Sequence, residues 1–325
     1  KYNGVSLKKI TNRRRNYIMA FTAKDVQALR EKTGVGMMDC KKALVEADGD
    51  MDKAVDILRE KGLASAAKKA SRVAAEGVVA AYSDATAGAL VEINCETDFV
   101  AKGEPFVNLS NKVAKTVVAA KPADVDALLA TKAVDSDKTV EEEVQEVFLA
   151  LRENMKVRRF ALVEGHTSTY IHAGGTVGVL VAFDVDDATA ANPEFDVMGK
   201  NVAMQIAAMN PSYLDEASVP AEVIEKEKGI LIAQMKEDPK MANKPEQVLA
   251  KIVEGKIGKF YKENCLLNQE FVRSDLFEGA VNGYVNSVAK ALGADIKVTS
   301  FVRFEKGEGI EKKEDNFAAE IASMM

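Results

Sequence analysis

Apolar residues at helical spacing mark the first part of the chain. Cys40, Ala43 and Leu44 follow the i, i+3, i+4 spacing of a buried helix face, and similar patterns lie before and after them. Glycine-containing breaks separate the three patterns. We therefore predict three short helices over residues 19–62, with Gly62 ending the third.

Strand-like and helical patterns alternate through the middle of the chain, and a hairpin followed by a helix occurs twice. The strand-like segments are 77–82, 89–96, 157–163, 167–172 and 177–184, and the helical ones are 105–119, 122–129, 139–154 and 194–209. A helix packed on one face of an antiparallel hairpin buries the apolar side of both. The pattern thus predicts an α+β fold whose core has two related parts.

Two charged helical stretches, 220–236 and 245–261, flank a break at Asp238-Pro239. Such a pair forms an antiparallel hairpin, which is either a projecting arm or a pair of core helices, and its high charge favours the arm. We expect the following apolar residues to face each other across it: Val223, Ile224, Ile230, Leu231 and Ile232 against Val248, Leu249, Ile252, Val253 and Ile257. A helix over 278–292 and a strand over 296–304 should complete the second part of the core, and 310–325 reads as a short amphipathic helix.

Charge is distributed unevenly along the chain. Residues 1–18 hold six basic residues and no acidic one, so the remainder carries a net charge of −12 out of a total of −6. An acidic body disfavours non-specific nucleic-acid binding and suits a protein or small-molecule partner. Three interpretations of this basic head, residues 1–18, stay open. It is an extension without folded structure that precedes a start at Met19, or a targeting peptide, or an arm that binds RNA. No apolar run reaches the length of a membrane-spanning helix.

Residues that carry chemistry are scarce. The three cysteines are far apart, no C-x-x-C pair exists and there are only two histidines, so we expect neither disulfides nor a metal site, and a reducing, cytoplasmic compartment. The chain also has no phosphate-binding loop and no nucleophile elbow. These observations predict a protein that is not an enzyme, holds no cofactor and does not bind nucleotide directly.

One corner is unusual for a structural loop. Thr97 and Asp98 suit a cap or turn after the strand-like 89–96. The aromatic Phe99 follows them, and two interpretations of it carry equal weight. It is a core aromatic that closes the hairpin, or it is an exposed anchor for a groove in a partner.

Two long motifs carry a resemblance to a known family. They are LREKTGVGMMDCKKAL at 29–44 and EINCETDFVAK at 92–102, with support from 68–77 and 302–311. On these motifs the chain strongly resembles the elongation factor Ts family over residues 19–325. That family consists of guanine-nucleotide exchange factors for elongation factor Tu.

The resemblance implies a division of the chain into modules. These are a basic extension without a family counterpart (1–18), a three-helix ubiquitin-associated-like domain (19–72), a first core subdomain (73–165), a second core subdomain (166–219 and 263–306), a protruding helical hairpin (220–262) and a short C-terminal module (307–325). It also implies that part of the chain inserts as a wedge into the GTPase domain of elongation factor Tu and disturbs the Mg²⁺ site there. The hairpin is a candidate contact between two copies of the chain.

The resemblance further implies which residues touch elongation factor Tu. Asp98 and Phe99, between Thr97 and Val100, would be the intruding tip, and the other contacts would be His172, Leu151, Met37, Met38, Lys41, Lys69 and Val272. Arg273 and Glu270 depart from the family pattern beside the last of these. The residues alone leave two other functions open. One is an adaptor that binds helical partners through 19–62, and the other is a nucleotide-using enzyme.

Overall fold

The computed structural model describes residues 21–238 and 244–311. The predicted basic head over 1–18 and most of the predicted helix over 310–325 lie outside these ranges. The helices are α1 (Ala23–Thr33), α2 (Met37–Glu46), α3 (Met51–Lys69), α4 (Asp98–Ala101), α5 (Glu104–Ala120), α6 (Val125–Ala130), α7 (Val140–Leu151), α8 (Asp187–Ala190), α9 (Pro193–Met209), α10 (Ala221–Glu237), α11 (Glu246–Asn264) and α12 (Val281–Leu292). The strands are β1 (Glu76–Ser83), β2 (Ala87–Cys95), β3 (Lys156–Glu164), β4 (His166–His172), β5 (Val177–Asp184) and β6 (Lys297–Glu305).

The N-terminal helices α1, α2 and α3 surround a small apolar core, to which α7 contributes Leu149. A reciprocal cap between Thr22 and Asp25 begins α1, and Gly34 ends it in the left-handed conformation at φ 66°. The predicted stop at Gly62 is wrong, because α3 continues to Lys69. Gly62 instead permits close packing on α7: a Cβ atom there would lie 2.0 Å from Leu149 Cδ2.

Two antiparallel three-stranded sheets form the centre of the fold. Sheet one has the order β1-β2-β3 and sheet two the order β4-β5-β6. The strand predicted between the two repeats thus joins the first hairpin as β3, and the strand near the end of the chain joins the second as β6. Each part of the core is therefore a three-stranded sheet with helices.

The sheets lie face to face between two layers of helices. The inner apolar cluster joins β1 and β2 to β5 and β6 through Val79, Leu90, Leu180 and Phe304. Helix α5 covers the outer face of sheet one, and α9 and α12 cover that of sheet two. All nine residues of β2 are buried, because this strand has α5 on one face and sheet two on the other. That is why its sequence is a nearly continuous apolar run.

The helices α10 and α11 pack on each other around a separate apolar cluster. Leu231 and Met235 of α10 meet residues from α11 there. The predicted facing set is partly wrong: Ile230, Ile232 and Val248 are 42%, 42% and 41% exposed. The helical period accounts for this, because Ile230 and Ile232 are adjacent to Leu231, and Val248 is adjacent to Leu249, so each points about 100° away from a residue of the cluster.

Helix ends account for the remaining differences. The helix predicted over 139–154 ends at Leu151, where Arg152 adopts a left-handed conformation. The helix predicted from residue 278 begins at Val281, after Gly279 with φ 133°. In both places a residue with positive φ interrupts the helical path.

Candidate partner-binding surface

A short helical turn follows β2 and carries Phe99. We call residues 97–102 the Phe99 turn. Thr97 begins it, and its hydroxyl accepts a hydrogen bond from the Val100 amide at 3.3 Å. The Thr97 amide and hydroxyl in turn donate to the two carboxylate oxygens of Glu153, at 3.0 and 2.6 Å. A helix of four residues is too short to be stable alone, so these bonds hold it in place.

Phe99 is the most exposed large apolar side chain among the described residues, at 85%. The two residues that follow, Val100 and Ala101, are buried in the core between sheet one and α5. The interpretation of Phe99 as a core aromatic is therefore wrong. The ring instead projects from a turn whose next two side chains are fixed in the core.

Charge surrounds the base of this ring. Asp98 forms an ion pair with Lys102 at 2.6 Å. The hydrogen bond and the charge of Lys102, with a smaller contribution from Lys306, hold the pKa of Asp98 below its usual value. The turn thus presents an ionised carboxylate beside an exposed aromatic ring at neutral pH.

The second predicted contact, His172, lies at the end of β4 and is exposed. Its Nδ1 is 3.0 Å from the Tyr170 hydroxyl. The chain then reverses through Gly174 and Gly175, and the amides of Gly175 and Thr176 donate to the His172 carbonyl. We call residues 172–176 the His172 turn.

A groove of about 400 Å³ joins the two turns. Ala101 and Lys102 of the Phe99 turn line one side, and Ile171 and Gly174 line the other. The structure therefore brings parts of the Phe99 turn and of the His172 turn to one surface groove, although the two turns follow strands of different sheets.

The other predicted site residues are spread more widely. Met37 and Met38 are 43% and 65% exposed at the start of α2, and Lys41 is exposed on the same helix. Val272 is 42% exposed, although its amide donates to the Gln205 side chain at 2.8 Å.

Three predicted contacts have internal partners. Val100 is 7% exposed and packs in the core of sheet one. Leu151 is partly buried against the core of sheet one. The Lys69 ammonium donates to the Arg152 carbonyl and lies 5.9 Å from the centre of the Phe148 ring.

Reasoning from the sequence missed the residues that support the Phe99 turn. Glu153 lies far from it in sequence, as does Asn154, whose amide donates to Glu96 at 2.7 Å. The other oxygen of Glu96 pairs with Arg72 at 3.2 Å. No local pattern signals these contacts, because they depend on how the end of α7 meets the end of β2.

The part of the chain that the structure describes offers little to bond-making chemistry. Its three cysteines are buried, and burial raises the pKa of Cys95 to about 12. No group of three metal-ligating side chains occurs within residues 21–238 and 244–311. No helix in those ranges is long and apolar enough to span a membrane. Fold and surface together define a class: a two-sheet α+β protein with an exposed aromatic side chain on a supported turn.

Comparison with known proteins identifies the family of the chain. Residues 96–308 match the family model described as Elongation factor TS. The chain is 49% identical over 308 residues to elongation factor Ts of Clostridium perfringens strain SM101, covering 93% of this chain and 98% of the relative. It is 47% identical over 310 residues to that of Syntrophotalea carbinolica, covering 94% and 99%. The chain belongs to the elongation factor Ts family, and it is a nucleotide exchange factor of translation elongation rather than an enzyme.

Proposed function

We propose that this chain accelerates the release of GDP from elongation factor Tu by inserting the Phe99 turn into the partner's GTPase domain. The observation that carries the proposal is the 85% exposure of Phe99 on a turn whose following residues are buried. An exposed aromatic ring on a rigid support loses little conformational freedom on binding, and such anchors dominate interface energies.

The proposed mechanism needs no covalent step in this chain. Tight binding of GDP by a GTPase depends on Mg²⁺ and on backbone amides that surround the phosphates. A ring inserted between helices of the GTPase domain would displace a Mg²⁺ ligand. The phosphate charge would then lose part of its compensation, and GDP would leave faster.

Thermodynamic reciprocity completes the cycle. If the exchange factor weakens the binding of nucleotide, nucleotide weakens the binding of the exchange factor by the same factor. Rebinding of GTP would therefore release the chain, which could act on many partner molecules in turn. The family is cytoplasmic, and we place the reaction in that compartment.

The proposal also covers the other predicted contacts with the partner and the role of α10 and α11. His172 would contact the GTPase domain beside Phe99, Met37 and Met38 would add a contact from a ubiquitin-associated-like module, and Val272 would reach the partner's third domain. The separate apolar cluster of α10 and α11 supports a protruding arm. The exposed Ile230, Ile232 and Val248 on it support a contact between two copies, which stays a prediction.

The test is the release of a fluorescent GDP analogue from elongation factor Tu. The unmodified chain should accelerate release at substoichiometric amounts. Phe99→Ala should slow the stimulated release by roughly tenfold or more, because an anchor of this kind contributes about 2–4 kcal/mol and about 1.4 kcal/mol is a factor of ten.

Val197→Ala is the matched control. Val197 lies on α9, on the outer face of sheet two, and is also strongly exposed, at 56%. Its truncation should leave stimulated release unchanged. Equal stimulation by the unmodified chain and Phe99→Ala, with both folded, would refute the insertion mechanism.

A further inference from the structure

A buried carboxylate lies between the two sheets. The Glu92 side chain is 0% exposed. Alternate residues of a strand point to opposite faces, so Glu92 points from β2 towards sheet two, as Leu90 does. An unpaired charge in such a place is costly, and its partners therefore decide what it does.

A β-bulge supplies two of these partners. The pairing of β2 with β3 shifts between Glu92 and Ile93, so that Glu92 lies opposite Arg159 and Ile93 opposite Val157. Arg158 is the extra residue, and the bulge redirects its side chain. Arg158 Nη1 lies 2.9 Å from Glu92 Oε1, and Arg159 Nε lies 2.6 Å from Oε2.

The next partner comes from the other half of the core. The Gly307 amide, just after β6, donates to Glu92 Oε1 at 2.8 Å. Arg159 also pairs with Glu308 at 2.9 Å, so two guanidinium groups face two carboxylates. Burial acts to raise the pKa of Glu92, but the hydrogen bonds from Gly307, Arg158 and Arg159 outweigh it and the pKa lies below its ordinary value. We call Glu92, Arg158, Arg159 and residues 306–308 the latch.

The latch connects the two contact points of the proposed binding surface. On one side, Glu92 belongs to the strand that leads directly into the Phe99 turn. On the other side, the Lys306 amide donates to the Thr176 carbonyl at 2.9 Å, at the end of the His172 turn. Elsewhere the sheets meet mainly through apolar side chains, a contact that is non-directional. Two further directional contacts join the halves: a backbone bond from Val79 to Gly175 at 2.8 Å and an ion pair between Lys306 and Glu76.

We propose that Glu92 is a positioning residue for nucleotide exchange: by binding Gly307 and two arginines it fixes the His172 turn relative to the Phe99 turn. The partner then meets both contact points in one arrangement. This inference rests on the proposed function for its effect on exchange, but its structural part can be tested separately.

The first experiment measures the alignment itself. Spin labels are attached through Phe99→Cys and His172→Cys, since the three native cysteines are buried, and pulsed electron paramagnetic resonance gives the distance distribution. Glu92→Gln removes the charge and should broaden a narrow distribution. An equally narrow distribution at the same distance in Glu92→Gln would overturn the proposal, whether or not the chain stimulates exchange.

A second variant breaks the latch from its other side and covers the case in which Glu92→Gln fails to fold. Gly307 has φ +71°, and a Cβ atom on it would lie 2.4 Å from the Ala75 carbonyl oxygen. Gly307→Ala should therefore displace the turn and broaden the distribution. Gly309→Ala is its matched control, because Gly309 has φ +72° and its nearest contact is 3.9 Å away. It imposes the same backbone strain without the clash, and the distribution should stay narrow.

The second experiment measures exchange on elongation factor Tu with chains that carry no labels. In both latch variants the concentration for half-maximal acceleration should rise about tenfold, within the range typical of coupling between two sites. In a Phe99→Ala background the same changes should have little further effect, because only one contact point remains to be aligned. If the effects of Phe99→Ala and of a latch variant on exchange added in full, the positioning role would be overturned. Failure of the unmodified chain to stimulate release would refute the proposed function and leave the distance measurement to decide on the latch.

Discussion

The support of the Phe99 turn by Glu153 leads to a graded prediction. Glu153→Ala removes both hydrogen bonds from Thr97, and Glu153→Gln keeps one amide oxygen as an acceptor. Hydrogen bonds to a charged group contribute about 1.5–3 kcal/mol when shielded, and less at a solvated site such as this. We therefore expect Glu153→Ala to destabilise the turn by about 1–2 kcal/mol and Glu153→Gln by about half as much.

Hydrogen exchange measures this loss directly. The Val100 and Ala101 amides donate to the Thr97 hydroxyl and carbonyl, so they exchange only when the turn opens. Their protection should fall about tenfold in Glu153→Ala, since about 1.4 kcal/mol is a factor of ten. Glu141→Ala, which removes an exposed charge from the first turn of α7, is the control and should leave both amides protected.

The loss of amide protection sets an upper limit on the effect of Glu153→Ala on nucleotide exchange. Because apparent affinity scales with the fraction of molecules in the competent state, the concentration for half-maximal acceleration should rise by no more than the loss of protection at Val100. The rate at saturation should stay the same. Unchanged protection in Glu153→Ala would refute the supporting role, and a lower saturating rate would contradict the view that Glu153 acts only on the free chain.

Two further predictions concern stability. Gly62→Ala should lower Tm, because overpacking against Leu149 costs about 1–3 kcal/mol and exceeds a helix-propensity gain of about 1 kcal/mol. Gly229→Ala is the control and should raise Tm, because nothing lies within 4 Å of a Cβ atom there. A change of Tm in the same direction in both variants would contradict this reasoning. The pKa of Glu92 is lowered on folding from 4.5, so its stabilisation is present above that pH and is lost as pH falls through the folded pKa. The Tm difference between the unmodified chain and Glu92→Gln should therefore narrow below about pH 4.5, and a constant difference down to pH 3 would argue against the ionised pair.

Local patterns predicted the type of most elements because each pattern reflects one buried face. The spacing of Cys40, Ala43 and Leu44 identifies α2, and the apolar run of β2 identifies a strand buried on both sides. Helix ends were harder to predict. Gly62 looks like a stop in sequence, but the alanine-rich residues that follow favour a helix, and the packing against Leu149 leaves no room for a larger side chain.

The sequence suggested candidate residues for the binding surface, but it did not indicate the contacts that support them. Physical reasoning left Phe99 equally suited to the core and to the surface, because a single aromatic residue after a turn fits either environment. The resemblance to a family singled out Phe99 and His172, while the groove that the two turns share exists only once the sheets are stacked. Glu92 gave no signal of its own, since its arginines come from another strand and Gly307 comes from near the end of the chain.

The pairing of β5 with β6 has a consequence for how the protein is made. All of α8 to α12 lies between these strands in sequence, so one edge of β5 has no partner until β6 has been synthesised. Such long-range closure is slow, and an open strand edge invites pairing with other chains. The turn that binds Glu92 follows β6 directly. A nascent chain that has not yet reached Gly307 would already carry Phe99 and His172 but would lack the amide that binds Glu92, so the alignment of the two turns depends on the synthesis of residues that lie far from both of them in sequence.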